Sequence, residues 1–184
     1  RDYFSSEGVG GSGYVYLSRR LRLDGSIRYE KQGSVRANDP WSLFRNDDRW
    51  RANPLIDDGH YTLLGLTGEF DTRNARTAPS SGWWIRASVE HATSNDAAPV
   101  SLPTTIRAPV PAHDYAFNRF TVDARRYTRV SPEVQVNFRL WAGGWLSGDP
   151  LPLQRRLSLG GLDLLPGYGF RAITCAPPGF SDPA

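Results

Sequence analysis

The residue types that most often perform catalysis or bind metals are sparse and poorly spaced in this chain. None of the three histidines, His60, His91 and His113, stands at metal-ligand spacing from another histidine or a cysteine, so a zinc site is not expected. Ser88 and His91 could act as the nucleophile and base of a barrel lipase, but their odd spacing places them on opposite faces of a strand. No Gly-x-Ser-x-Gly turn occurs. We therefore predict that the protein is not an enzyme and has no catalytic residue, cofactor or metal.

Two further segments could bind ligands, and both are better explained as loops. Gly8–Gly13 fits the Gly-x-Gly-x-x-Gly pattern, but that pattern needs a strand before it and a helix after it, whereas strand-like Tyr14–Leu17 follows here. We expect a flexible glycine-rich loop. The acidic segment Asn46–Asp58 lacks the regularly spaced oxygen ligands of a calcium loop, so we expect it to be solvated.

Overall charge argues against a nucleic-acid-binding protein, and hydropathy predicts no transmembrane helix. The net charge is only +3, and arginines interleave with carboxylates instead of forming a basic stripe. No run of about 18 apolar residues occurs. A membrane barrel stays possible, because a spanning strand needs only about 9–11 residues and alternates lipid-facing with lumen-facing side chains.

Alternation of apolar and polar residues, typical of β-strands, dominates the chain. In the clearest stretch, Ile85 and Val89 fall on one face and Arg86 and Glu90 on the other. The predicted strands are about 10–14 residues long, against about 5–6 in soluble domains. They are Gly13–Leu21, Leu23–Gln32, His60–Asn74, Gly82–Thr93, Tyr115–Arg129 and Glu133–Leu146.

Short and long connections alternate between these strands. The short links are Arg19–Leu23, Ala75–Ser81 and Val130–Pro132, and the long ones are Gly33–Asp58, Asn95–Asp114 and the segment after Gly148. Outer-membrane barrels sort their connections in this way, since their periplasmic turns are short and their extracellular loops are long. The pattern favours a membrane barrel over a soluble sheet.

Charged residues at mid-strand positions all fall on one predicted face. In a barrel this face would line the lumen, whereas in a soluble sandwich it would be the solvated face. The predicted lumen-facing charges are Arg28, Glu30, Glu69, Asp71, Arg86, Glu90, Asp123, Arg125 and Arg139. Arg126 and Lys31 fall on the apolar face, near strand ends where a long side chain can extend to the interface.

Aromatic residues cluster near both ends of the predicted strands. Trp83 and Tyr127 fall near the short turns. Those near the long loops are Tyr61, Tyr115, Phe117, Trp141 and Trp145. Two interfacial girdles would have this distribution, and ordinary core or surface aromatics are the alternative explanation.

The C-terminal part of the chain resembles the signature loop of the bacterial surface-antigen family, the BamA/TamA-type outer-membrane assembly barrels. The residues that carry the likeness are Gly160, Gly161, Leu165, Pro166, Gly167, Tyr168 and Arg171. Further degenerate pieces of the family pattern precede it in order. They are Glu69–Asn74, Pro79–Gly82, Arg125–Tyr127, Arg139–Gly144, Gly148–Pro152 and Arg155-Arg156.

The resemblance implies an all-β fold in which this chain supplies about six strands of an antiparallel transmembrane β-barrel of about sixteen. Residues 148–184 would begin the long extracellular loop that folds back into the lumen. In the family, an arginine of this loop pairs with acidic groups inside the barrel, and here Pro166 replaces it. Proline has neither charge nor N–H, so Arg171 is a hypothetical substitute.

The resemblance also implies a location and partners. The protein would reside in the bacterial outer membrane, contact outer-membrane lipid, and assemble or translocate client outer-membrane polypeptides, together with periplasmic domains of the same chain. Two alternatives stay open: a barrel of the same family that anchors or secretes an attached enzymatic domain such as a patatin-like lipase, and a soluble β-sandwich with binding loops.

The ends of the sequence suggest a piece of a longer protein. Because the chain has no methionine, Arg1 is not a translation start, and residues 1–184 are expected to be part of one barrel domain truncated at both ends. Cys175 is unpaired within the sequence. A partner further along the chain and a free thiol are both open.

Overall fold

The computed structural model describes residues 4–35, 56–97 and 114–157, which form one antiparallel β-sheet. Each strand pairs with its neighbour in sequence. The strands are β1 Phe4–Ser18, β2 Leu21–Ser34, β3 Gly59–Asp71, β4 Ser81–Ser94, β5 Tyr115–Arg129 and β6 Gln135–Gly148. A short 3₁₀-helix, Leu153–Arg155, follows β6. No helix in these ranges is long and apolar enough to cross a bilayer. The predicted all-β class is confirmed.

The first strand is where the sequence prediction was wrong. It begins at Phe4, and the glycine-rich segment lies inside it, paired with β2, instead of forming a flexible loop. Glycine has no side chain and so gives no alternation signal. Two of these glycines have no room for a side chain. A Cβ on Gly10 would lie 2.7 Å from Arg28 Cγ, and a Cβ on Gly8 would overlap the Tyr29 carbonyl oxygen.

Short and long connections lie at opposite ends of the sheet. Residues 19–20, 72–80 and 130–134 join the strands at one end, here called the short-turn end. Residues 35–58, 95–114 and those after Gly148 leave the other, the long-loop end. The 72–80 turn is closed by Asn74, whose Oδ1 accepts hydrogen bonds from the backbone N–H of Ser80 at 3.0 Å and of Ser81 at 3.1 Å. The predicted alternation of connections is thus present along the described strands.

The two faces of the sheet differ in character. One, here called the apolar face, carries large exposed hydrophobic side chains such as Leu66, Ile27 and Phe138, which are 52 %, 55 % and 59 % exposed. Within the described ranges the strands form one sheet with no second sheet over this face, so they do not build the soluble sandwich kept as an alternative. The other, the charged face, carries the ionised residues.

The aromatic girdles predicted from sequence are not formed by most of the residues assigned to them. The pairing register places several of these aromatics on the charged face, and Trp83 is on the apolar face. The misassigned residues are Tyr61, Tyr115, Phe117, Tyr127 and Trp141. Their position along the strand was predicted correctly, but successive side chains of a strand point to opposite faces, so a shift of one residue changes the face.

The main apolar cluster lies on the charged face at the long-loop end. It contains Tyr61, Leu63, Ala92, Ala97, Tyr115, Phe117 and Leu151. Leu151 comes from the segment after β6, so this cluster is formed by the sheet together with a piece of chain that folds back onto it.

Candidate functional site

The register places every predicted lumen-facing charge on the same face of the sheet. Neighbouring strands bring opposite charges together there. In the middle of β5, Asp123 is held by two guanidinium groups, those of Arg125 and Arg139, each at 2.8 Å. The Arg125 guanidinium also lies 4.8 Å from the Trp84 ring centroid. Arg86 and Glu69, opposite each other on β4 and β3, approach to 3.9 Å.

Residues 149–157, here called the return segment, turn back at the end of β6 and lie over the charged face. The turn begins at Gly148, which has a φ of +91°. A Cβ there would overlap the Ala116 carbonyl oxygen, so both the conformation and the space require glycine. Asp149 then pairs with Ala116 on β5: its backbone N–H donates to the Ala116 carbonyl at 2.7 Å, and its carboxylate accepts the Ala116 N–H at 2.8 Å.

An apolar anchor follows the turn. Leu151 is buried among the side chains of the apolar cluster, and Pro152 beside it is also buried. Tyr115, a member of that cluster, donates its hydroxyl hydrogen to the Pro150 carbonyl. Burying a leucine side chain contributes roughly 1.5–3 kcal/mol. The first residues of the return segment are therefore held by hydrophobic contact as well as by backbone hydrogen bonds.

Arg155 provides an ionic anchor one turn further on. Its Nη2 lies 2.9 Å from Glu30 Oε1 on β2, and its Nη1 lies 3.6 Å from Glu90 Oε2 on β4. The side chains of Arg155, Glu30 and Glu90 are only 12–13 % exposed. One guanidinium thus joins carboxylates of two strands that are separated by β3 in the sheet.

Glu90 is shared between further arginines. Arg119 Nε donates to Glu90 Oε1 at 2.8 Å, and Arg28 Nη2 lies 3.4 Å from Glu90 Oε2. Arg119 also donates through Nη1 to the Arg155 carbonyl at 3.3 Å, which fixes the backbone of the return segment. Every charge in this cluster therefore has an opposite charge beside it, as a partly buried ionic group requires.

Amide side chains complete the contact with β2. Gln154 Nε2 donates to Gln32 Oε1 at 2.9 Å and to the Asp57 carbonyl at 3.0 Å. Asp57, just before β3, accepts the Leu153 N–H at 3.0 Å. Gln32 in turn donates to Glu30 Oε1 at 2.6 Å. The polar contacts thus form one network with the ion pairs of Arg155.

Burial lowers the pKa of the Arg155 guanidinium below its ordinary value, and the nearby Arg119 acts in the same direction. The carboxylates of Glu90 and Glu30 oppose this shift. Arginine stays protonated in proteins under ordinary conditions, so Arg155 remains a cation. Its charge is stabilised only while these carboxylates are ionised and in place.

The sequence identified part of this site. Arg28, Glu30 and Glu90 share one face of the sheet, as the alternation predicts, whereas the roles of Arg119 and Arg155 were not predicted. Arg119 alternates correctly with its neighbours in β5 and could have been found from that pattern. Arg155 follows a strand end, where no periodicity signals which way the chain turns.

The motif residues of the C-terminal loop lie outside the described residues. These are Gly160, Gly161, Leu165, Pro166, Gly167, Tyr168 and Arg171, with Cys175 beyond them. The proposed substitution of Arg171 for the family's arginine thus stays a prediction. Arg155 is the arginine that pairs with acidic residues in the described part of this loop.

Metal-binding geometry is not found in the ranges that the structure describes: no group of three or more His, Cys, Asp or Glu side chains there could hold an ion. His60 has a different partner, since its Nδ1 lies 2.6 Å from Asp96 Oδ2. His91 Nδ1 lies 2.9 Å from Asn118 Oδ1. The site is an ionic and hydrogen-bonded contact between a sheet and a returning loop.

Comparison with protein families gives one match. The family model described as the Omp85 superfamily domain covers residues 13–177 of this chain. Comparisons with curated proteins and with solved structures found no match. The matched range includes nearly all the described strands and the whole return segment.

Proposed function

The chain belongs to the Omp85 superfamily, and from this premise we propose that its sheet is part of an outer-membrane β-barrel that assembles or translocates polypeptides. The likeness to surface-antigen barrels seen in the sequence is consistent with this family. Proteins of the family are outer-membrane proteins. In the proposal, the apolar face meets lipid, the charged face lines the lumen, and the short-turn end is periplasmic.

The distribution of charge supports this orientation. An arginine or lysine facing lipid at the bilayer midplane costs about 2–4 kcal/mol, so a lipid-facing surface must be nearly free of charge at mid-strand. The apolar face meets this requirement in its middle rows, where Ile27, Leu64 and Val89 lie. The charges of the opposite face have carboxylate and guanidinium partners, as a water-filled lumen allows.

The observation that carries the proposal is the return segment. A loop that leaves the long-loop end and lies back on the charged face would, in a closed barrel, enter the lumen. The ion pairs of Arg155 with Glu30 and Glu90 and the burial of Leu151 hold it there. We propose that residues 148–184 begin a re-entrant loop that controls how polypeptides use the barrel.

The proposed activity needs no catalytic residue. Client strands would add to an opened sheet edge through backbone hydrogen bonds, as in β-augmentation. The barrel would supply a template edge and a lumen, and the return segment would restrict access to that lumen. The partners are outer-membrane lipid and unfolded outer-membrane polypeptides.

A depletion experiment with the full-length protein tests this function. We expect the protein in the outer-membrane fraction with heat-modifiable gel mobility, and we expect its depletion to lower the amount of at least one other outer-membrane or exported polypeptide. Complementation with wild type should restore that amount. A freely soluble protein, or an unchanged set of outer-membrane and exported proteins, would contradict the proposal.

A further inference from the structure

One arginine lies on the apolar face near the short-turn end. Arg126 on β5 is directly opposite Trp83 on β4 and Phe138 on β6, so the three side chains form one cross-strand row. The Arg126 guanidinium carbon lies 5.2 Å from the Trp83 ring centroid, and Nε donates to Thr128 Oγ1 at 3.2 Å. Trp83 is 39 % exposed and Phe138 is 59 % exposed.

Arg126 forms no ion pair with any residue that the structure describes. The other cation of this face, Lys31, is directly opposite Glu7 at the long-loop end. The arginines of the neighbouring 72–80 turn have a partner of their own, since Asp71 lies 2.8 Å from Arg73 and 4.0 Å from Arg76. An arginine that has no ion pair within the described residues favours an anion from outside the protein.

Position along the strand makes a membrane anion accessible to Arg126. The strand ends at Arg129, roughly 10 Å further on at about 3.3 Å per residue. A lipid-facing arginine is tolerated much better near the interface than at the midplane, since its guanidinium can extend to the polar layer. The planar guanidinium of Arg126 can donate two parallel hydrogen bonds to two oxygens of one phosphate group.

We propose that Trp83, Arg126 and Phe138 form a binding site for an anionic glycerophospholipid, with the phosphodiester at the Arg126 guanidinium. The aromatic rings flank the upper acyl chains and the glycerol region, where aromatic side chains of membrane proteins concentrate. This inference rests on the proposed function, which directs the apolar face to lipid and the short-turn end to the periplasm. The occupant is then a lipid of the periplasmic leaflet.

Native mass spectrometry of the full-length protein, released from nanodiscs of phosphatidylcholine and phosphatidylglycerol, tests the site. We expect Arg126→Gln to retain phosphatidylglycerol about tenfold more weakly than wild type, a difference of about 1.4 kcal/mol, since glutamine has neither the charge nor the paired N–H donors of the guanidinium. Arg126→Lys should weaken the retention of phosphatidylglycerol less, because lysine keeps the positive charge but lacks the paired N–H donors of the guanidinium. Arg76→Gln, an exposed arginine of the 72–80 turn, is the matched control and should retain lipid like wild type.

Three results would overturn the inference: equal retention by wild type and Arg126→Gln, an equal loss in Arg76→Gln, or retention of lipid A in place of phosphatidylglycerol when both are offered. A photo-crosslinking residue at position 138 separates this failure from that of the proposed function. Cross-links to lipid with unchanged retention would reject only the lipid site. Cross-links to protein would reject the lipid-facing orientation and the site with it.

Discussion

Arg155 is the residue on which the contact between sheet and return segment depends most. Its guanidinium is nearly buried and touches carboxylates of two strands. Such a pair adds little net stability over an apolar replacement of the whole group, but removal of one partner leaves an uncompensated charge. The network therefore specifies where the segment lies more than it stabilises the sheet.

Arg155→Met should release the return segment from the charged face. Removing one partner of a buried pair costs about 3–5 kcal/mol, and here Glu30 and Glu90 would both lose a counter-charge. We expect faster cleavage of the segment by added protease in the folded, reconstituted protein. Arg156→Met, which removes an exposed arginine with one hydrogen bond to the Leu151 carbonyl, is the control. Equal cleavage of both variants would contradict the assigned role.

A second prediction follows from the same network. Adding Glu30→Gln to Arg155→Met removes the carboxylate that has lost its ion pair and should recover part of the protection from cleavage, whereas Glu90 keeps Arg119 and Arg28 as partners. The recovery is measured in the same protease assay. A double variant that is cleaved faster than Arg155→Met would show that Glu30 stabilises the segment by some other contact.

At the scale of elements, the turn from β6 into the return segment depends on one glycine. Gly148 has a positive φ and lies against the Ala116 carbonyl. Gly148→Ala should cost about 1–3 kcal/mol for the strained backbone and destabilise the docked segment. Gly144→Ala is the matched control, because a Cβ there meets open space. Thermal unfolding of the reconstituted barrel measures both, and equal effects would contradict the strain argument.

Cross-linking measures the position of the whole segment. With Cys175 replaced by serine, a short bifunctional thiol reagent should join the pair Gln32→Cys and Gln154→Cys, since the ends of the two glutamine side chains are hydrogen-bonded at 2.9 Å. The pair Tyr29→Cys and Gln154→Cys should not be joined, because Tyr29 lies on the apolar face. Equal cross-linking of both pairs would mean that the segment does not lie on the charged face.

The sequence predicted the strands and their faces well where side chains alternate, as in β4, and less well elsewhere. The first half of β1 was not predicted, because a strand rich in glycines such as Gly8 and Gly10 shows no alternation of apolar and polar side chains. Tyr61 and Phe117 were wrongly assigned to a lipid interface. A residue's position along a strand is easier to infer from sequence than the face on which its side chain lies. The docking of Arg155 depends on Glu30 and Glu90, which are distant in sequence, so no local sequence pattern predicts it.

At the scale of the whole molecule, the sheet is asymmetric in two directions. Across its thickness, one face is apolar and the other ionic. Along its strands, the described connections of the short-turn end are rich in arginine, whereas those of the long-loop end carry Asp57, Asp58, Asp96 and Asp114. A protein with this distribution is suited to an environment that differs on each side and at each end, as a barrel in an asymmetric membrane experiences.

The orientation of the two faces can be measured at adjacent residues. Leu66 and Thr67 are neighbours in the middle of β3 and lie on the apolar and charged faces respectively. With Cys175 replaced by serine, a nitroxide at each position of the full-length membrane-embedded protein reports its accessibility to oxygen and to a water-soluble nickel complex. We predict that the label at position 66 is relaxed mainly by oxygen and the label at position 67 mainly by nickel. Strong relaxation by nickel at position 66, or the same response at both positions, would contradict the central claim.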